Sequence, residues 1–330
     1  MKYIFVQIAC YRDEEIVSTI EDCIKQADNP RRLRFGICWQ KNPEDDYLAK
    51  YQSDDNFKIL KFPYTVSKGV CWARNKIQKL YDGEDFILQL DSHHRFVPNW
   101  DKILLDSIKK TDSQKPILST YGTPYFSGGG MCLDVTPCRI GYYRFTASGV
   151  LLQKPHYMDE YRHIKRPELA RFLSCHFLFT TGDFIADCPY DPKLYFHGEE
   201  ILTAVKAYTH GYDIYHPNKL VLWHLYAKGV VNHHAYDHDP YTQEKGPYWS
   251  NLEVESVRRI RSLLNIPPHP TEPPNTKKTV DIEKKYSLGT KRTLEEYERF
   301  AGVNFKLQSV QRYTDDDNIP PNPHVLGDSY

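Results

Sequence analysis

The sequence predicts an α/β protein with a mixed, mostly parallel central sheet flanked by helices. Three observations carry that expectation. Short runs of β-formers alternate with amphipathic segments from the start of the chain to Asp91. One run, Phe86-Ile87-Leu88-Gln89-Leu90, is apolar apart from Gln89, follows the turn-like Tyr81-Asp82-Gly83-Glu84 and breaks off at Asp91-Ser92-His93. Bounded in this way, it reads as a buried strand in the middle of a sheet. No Gly-x-Gly-x-x-Gly or Walker glycine loop follows the first strand, which argues against a dinucleotide dehydrogenase and a P-loop enzyme.

Residues 3–10 form the first strand, near the sheet centre. Tyr11 to Glu15 make the loop after it, with Asp13 placed to cap a helix over about residues 16–27. Ile16, Ile20, Cys23, Ile24 and Ala27 share one face of that helix, and Asn29-Pro30 ends it. Residues 33–40 and 57–63 are further strands, followed by a helix over 69–80 and the strand 86–91. A helix over 101–110 precedes a β-rich stretch, 116–153, in which Gly128-Gly129-Gly130 is a flexible loop. Residues 177–184 read as strand-to-turn, 188–192 as an irregular connector, and 196–210 as a helix closed by Gly211. Short strands cover 214–217 and 220–225. From Pro267 a proline-rich linker leads to a polar tail with one helix, about 293–301. The expected division is one catalytic-type domain over 1–265, with halves 1–100 and 101–265, and an extension over 266–330 that covers the site or simply trails from it.

Basic and acidic residues balance at 43 each, so no global field draws the chain to nucleic acid or anionic lipid. The amino-terminal apolar patch is too short for a signal peptide or a membrane span, and no other segment is long enough to insert. Eight cysteines without a Cys-x-x-Cys pair, mostly in apolar runs, suit buried free thiols in a reducing compartment. A cytoplasmic protein is the expectation.

In open α/β sheets ligands sit outside the carboxyl ends of the strands, where Asp91 and His93 fall. Residues two apart in an extended segment point the same way, so carboxylate and imidazole can converge on one divalent ion, Mn²⁺ or Mg²⁺. A strand end with a helix-capping Asp accounts for the same residues. His224 interrupts the apolar run Leu222-Trp223-His224-Leu225; it is a third ligand if it reaches Asp91 and an ordinary core histidine if it does not. Glu199 and Glu200 open a helix, where the dipole favours carboxylates in any case. Arg12 and Arg74 suit a diphosphate, and Thr181-Gly182-Asp183-Phe184 either presents groups to a sugar hydroxyl or turns the chain. His233, His234 and His238 read as solvated loop histidines. Hydrolase and zinc-finger motifs are absent from the sequence.

In this order Tyr11-Arg12-Asp13-Glu14, Gly69-Val70-Cys71-Trp72-Ala73-Arg74-Asn75, Leu90-Asp91-Ser92-His93, Tyr195-Phe196-His197-Gly198-Glu199-Glu200 and Trp223-His224 resemble the cytoplasmic polypeptide N-acetylglucosaminyltransferases. Their known member modifies a hydroxyproline on the adaptor subunit of SCF ubiquitin ligases. Tyr286-Ser287-Leu288-Gly289-Thr290-Lys291-Arg292-Thr293 extends the likeness over nearly the whole chain. A more distant similarity runs to the mucin-type polypeptide N-acetylgalactosaminyltransferases. These have Trp-Gly-Gly-Glu where this chain has Phe196-His197-Gly198-Glu199, and an Arg near Ala227-Lys228.

The resemblance implies a GT-A fold, a UDP-sugar donor, a Mn²⁺-type cation, retention of configuration, and a polypeptide or saccharide hydroxyl as acceptor. It implies Asp91, His93 and His224 as metal ligands, with Asp183, Glu199 and Glu200 at the reacting sugar. Ala9, Tyr11, Arg12, Gln40, Arg74, Ser92, Gly182, His197 and Lys228 would bind the donor, with Lys291 a further candidate cation. Three other readings stay open: transfer of another UDP-sugar, metal-dependent hydrolysis of nucleotide sugars, and a non-catalytic binding module.

Overall fold

The computed structural model describes residues 1–126, 136–226, 233–241, 246–268, 280–315 and 320. The expected Gly128-Gly129-Gly130 loop, the linker from His269 to Thr279 and Lys228 lie outside the described residues. In chain order the elements are β1 (Ile4–Tyr11), α1 (Glu15–Gln26), β2 (Leu33–Lys41), β3 (Phe57–Pro63), α2 (Val70–Gln78), β4 (Phe86–Asp91), β5 (His94–Phe96), α3 (Trp100–Ile108), β6 (Pro116–Ser119) and β7 (Thr123–Pro124). There follow β8 (Cys138–Phe145), β9 (Leu151–Tyr157), β10 (Glu168–Ala170), β11 (Phe177–Thr181), α4 (Phe184–Asp187), α5 (Glu199–Thr209), β12 (Asp213–His216), β13 (Leu222–His224), α6 (His233–Asp237), α7 (Trp249–Leu264) and α8 (Leu294–Ala301).

Eight strands form one sheet in the order β10-β12-β6-β11-β4-β1-β2-β3. β4, β1, β2 and β3 run parallel, whereas β11 lies antiparallel to both β4 and β6. Residues alternate between the two sheet faces. Ile4, Val6 and Ile8 of β1 and Leu88 and Leu90 of β4 share a core with Ile16 and Ile20 of α1 and Leu104 of α3. Phe5 and Ile87 face the opposite layer, built from α2, α5, α7 and α8. The chain leaves β1 toward β2 and β3 on one side and returns at β4 on the other. The crevice outside the carboxyl ends of β1 and β4 is therefore the topological switch point, the place where such sheets take ligands.

α7 is absent from the sequence reading. Its buried side includes Arg259 and Arg261 beside Val257, Ile260 and Leu264, which blurs the apolar stripe. Arg259 is buried because Asp191 pairs with it, Nε to Oδ2 2.7 Å. Past the linker the chain returns to the same core. Leu294, Tyr297, Phe300 and Ala301 join it, and Phe300 stacks on Tyr208 of α5 at 5.1 Å between ring centres. Thr293 and Glu296 form a reciprocal capping box at the start of α8.

Candidate active site

β4 ends at the carboxyl edge, and the chain turns there through Ser92 and His93. Thr19 of α1, fully buried, clamps the turn. Its hydroxyl donates to the Ser92 carbonyl (2.9 Å) and accepts the His94 N–H (2.9 Å). β5 then pairs with β13, with His224 opposite His94, and the Leu225 N–H donates to the His93 carbonyl at 3.1 Å. This small sheet carries His224 to the end of β4. One ligand atom each from Asp91, His93 and His224 lie within 4.8 Å of one another, with His224 Nε2 3.7 Å from Asp91 Oδ2. A carboxylate and two imidazoles suit a divalent first-row ion.

His94, His176 and His224 form a second such group. Hydrogen bonds separate the two. His94 Nδ1 faces the Asp91 carbonyl (3.1 Å), which only accepts, so His94 carries its proton there. Its Nε2 then accepts from His176 Nδ1 (3.1 Å), and His176 Nε2 accepts the Gly122 N–H (3.3 Å). Burial drives both rings well below the usual histidine range, so both are neutral. Their lone pairs are occupied, and the Asp91 group remains the better ion site.

Burial pushes the Asp91 carboxyl up, but contact with His224 and the Arg74 guanidinium outweighs it and holds Asp91 well below the ordinary range. Arg74, 2% exposed, donates from Nη2 to Asp91 Oδ1 (3.1 Å) and the Cys175 carbonyl (2.8 Å), and from Nη1 to Glu199 Oε2 (2.7 Å). The expected diphosphate clamp is thus committed to tying α5 to β4. Burial raises Glu199, opposed by Arg74. Glu200 accepts from the Tyr121 hydroxyl (2.8 Å) and the Cys175 N–H (3.1 Å); burial, then the neighbouring Glu199, push it up to about 7. Gly198 makes this helix start possible. Its φ of +82° favours glycine, and a Cβ there would lie 2.7 Å from Ile260 and Val150.

Other sequence-predicted residues are placed differently. Gly182 and Asp183 follow β11, whose Thr181 pairs with Phe86 at the start of β4, while Phe177 pairs with Leu90 at its end. Because β11 is antiparallel, they sit at the amino edge of β4, roughly 20 Å from Asp91 at strand rise. A Cβ on Gly182 would meet Tyr81 Oη at 2.0 Å, so this glycine serves packing. The antiparallel strand brings its beginning, Cys175 and His176, to the site instead. Ser92 lies in the turn after β4; its hydroxyl donates to Asp13, and its Oγ lies 3.3 Å from His93 Nδ1, which bonds the same carboxylate oxygen. His197 is exposed and paired with Glu253 of α7 (3.0 Å). The Lys291 N–H donates to the Thr209 carbonyl (2.9 Å), placing residue 291 at the carboxyl end of α5, about 15 Å along the helix from Glu199.

Ala9, Tyr11 and Gln40 do lie at the switch-point edge, with Tyr11 opposite Gln40 in the β1–β2 register. The Tyr11 hydroxyl donates to Asp237 Oδ2 (2.9 Å), and Arg12 pairs with the same carboxylate. α6 thus packs directly on this edge. His234 bonds Ser67 Oγ through Nε2 (2.9 Å) and the Tyr195 hydroxyl through Nδ1 (2.8 Å). His238 is fully buried against the Tyr64 and Pro247 carbonyls. Neither is a solvated loop histidine; the side chain of His233 lies outside the described residues. His176, Tyr121 and Asp237 went unread because single polar residues in mixed runs carry no spacing signal.

The described cysteines are all free and buried, and no described helix is long and apolar enough to cross a membrane. A family model described as Glycosyltransferase (GlcNAc) matches residues 3–58 and 49–307. Among solved structures, GalNAc-T7 with UDP, GalNAc and Mn²⁺ is similar at 16% identity and a TM-score of 0.56, over 80% of this chain and 48% of that one. S. aureus TarS 1-349 in complex with UDP-GlcNAc is similar at 16% identity and a TM-score of 0.47, over 78% of this chain and 65% of that one. The chain therefore spans about half the length of the first of these and under two thirds of the second. No curated protein matches it significantly.

Proposed function

The chain belongs to the GlcNAc glycosyltransferase family and has a GT-A type fold, and from that premise we propose that it is a metal-dependent, retaining transferase. It moves N-acetylglucosamine from UDP-GlcNAc to a hydroxyl acceptor on a polypeptide, hydroxyproline or Ser/Thr. One observation carries the reading: Asp91, His93 and His224, distant in sequence, gather their ligand atoms within 4.8 Å at the switch point.

Those three side chains would hold the cation, which when bound neutralises charge on the departing diphosphate. Ala9 and Tyr11 lie beside it at the carboxyl edge, where the nucleoside fits; Gln40 is buried behind them, its amide bonded to the Cys10 carbonyl and the Ser67 hydroxyl. Arg74 and Glu199 position Asp91 through their ion pairs. Both nearby carboxylates have partners, Glu199 in Arg74 and Cys71 and Glu200 in Tyr121 and Cys175. Front-face attack by the acceptor hydroxyl is therefore favoured over a carboxylate nucleophile. The acceptor oxygen bonds to the sugar's anomeric carbon, the carbon–phosphate oxygen bond breaks, and the acceptor proton passes to the departing UDP.

The test is UDP release from a panel of UDP-sugars with Mn²⁺, with and without hydroxyproline peptides, Ser/Thr peptides and saccharides. Release from UDP-GlcNAc that depends on a peptide acceptor is expected. Full-rate sugar release without acceptor would identify a hydrolase, and preference for another sugar or a saccharide would replace the donor or acceptor named here.

A further inference from the structure

We propose that Asp13 is a positioning residue of the metal centre, fixing the tautomer of His93 so that its Nε2 lone pair is presented to the ion. The inference rests on the reading of Asp91, His93 and His224 as ligands. The sequence places Asp13 only as a cap for α1, and the structure gives it two tasks. Its Oδ1 accepts the Glu15 N–H at 3.1 Å, anchoring the carboxylate to the first turn of α1. Its Oδ2 accepts from His93 Nδ1 at 2.9 Å and from the Ser92 hydroxyl. A carboxylate can only accept, so the His93 proton resides on Nδ1 and the lone pair of the neutral ring on Nε2.

The surroundings leave little freedom for another arrangement. The Asp13 side chain is 11% exposed and that of His93 19%. Thr19 fixes the backbone on both sides of His93 through the Ser92 carbonyl and the His94 N–H. A ligating histidine whose other nitrogen donates to a carboxylate is oriented and made more basic by it. The Ser92 hydroxyl bonds the same Asp13 oxygen and lies 3.3 Å from His93 Nδ1, so it helps to hold the carboxylate beside the ring.

Asp13→Asn keeps the side chain's size and replaces one of its two acceptor oxygens by a donor. However the amide turns, its NH₂ meets a donor, at Glu15 or at His93 and Ser92; Asp13→Ala removes both acceptors. Mn²⁺ affinity of the full chain would be measured by electron paramagnetic resonance alongside thermal melts, and the His93 tautomer by ¹⁵N imidazole shifts without metal. Asp13→Ala should bind Mn²⁺ about 10- to 100-fold more weakly and Asp13→Asn more weakly by a smaller factor, both still melting cooperatively, and wild-type His93 should carry its proton on Nδ1. Wild-type affinity in both variants, or an Nε2 proton on wild-type His93, would overturn the inference. If His93→Ala binds Mn²⁺ like wild type, the ligand assignment itself falls, and the inference with it.

Discussion

Asp91 shows what one residue can and cannot announce. Its place at a strand end beside His93 was legible and His224 was a candidate third ligand, but whether His224 and Arg74 reach it was not: His224 arrives through β13 and Arg74 through α2. Asp91→Ala and His93→Ala should abolish metal-dependent UDP-sugar turnover while leaving thermal melting cooperative; normal transfer by either would show that the ion lies elsewhere. Asp183→Ala, by contrast, should leave kcat/KM within about twofold of wild type, since its strand runs antiparallel and carries it to the far edge. Glu200 makes a pH prediction. Its carboxyl rises from an unfolded value near 4.5 to about 7 in the folded chain, so between those values the folded state holds more protons. Its contribution to stability is full at low pH and is lost as pH rises through about 7. The difference in melting temperature between wild type and Glu200→Gln should therefore shift against wild type from pH 5 to 8. A constant difference would place the Glu200 carboxyl near its ordinary value.

At the scale of elements, strand direction matters as much as strand existence. Residues 177–184 read as strand-to-turn, and the strand is Phe177–Thr181, yet direction decides which end of it meets Asp91. Hydrophobic pattern reports which residues are buried but is the same read forwards or backwards. α7 shows the converse, an element hidden because its buried side includes arginine. Removing that arginine should be costly, since Asp191 would remain as a buried, unpaired carboxylate. Arg259→Ala is expected to destabilise the fold by about 3–5 kcal/mol in urea unfolding, whereas an exposed ion pair such as Lys109–Asp106 contributes about 1 kcal/mol or less.

For the molecule as a whole, the carboxyl-terminal segment belongs to the core that holds α5. Truncation after residue 266 would expose Tyr208 and its neighbours by removing Tyr297 and Phe300. The truncated chain should therefore lose cooperative melting, and Phe300→Ala in the full chain should cost about 3–5 kcal/mol. A truncated chain that melts like the full one would show the segment to be dispensable. By itself the sequence determined the α/β class, the parallel strands through Asp91, a helix through about residue 210 (placed from Phe196, where the structure begins it at Glu199) and the residues to suspect, because local periodicity and turn chemistry are written into neighbouring positions. Only the tertiary structure decided which suspects meet. It brought His224 and His176 to the site, removed Gly182 and Asp183, turned Ser92 toward Asp13, and set α6 against Tyr11 and Arg12. Those outcomes follow from strand pairing and direction, which arise from contacts between segments remote in the chain and leave no local signature.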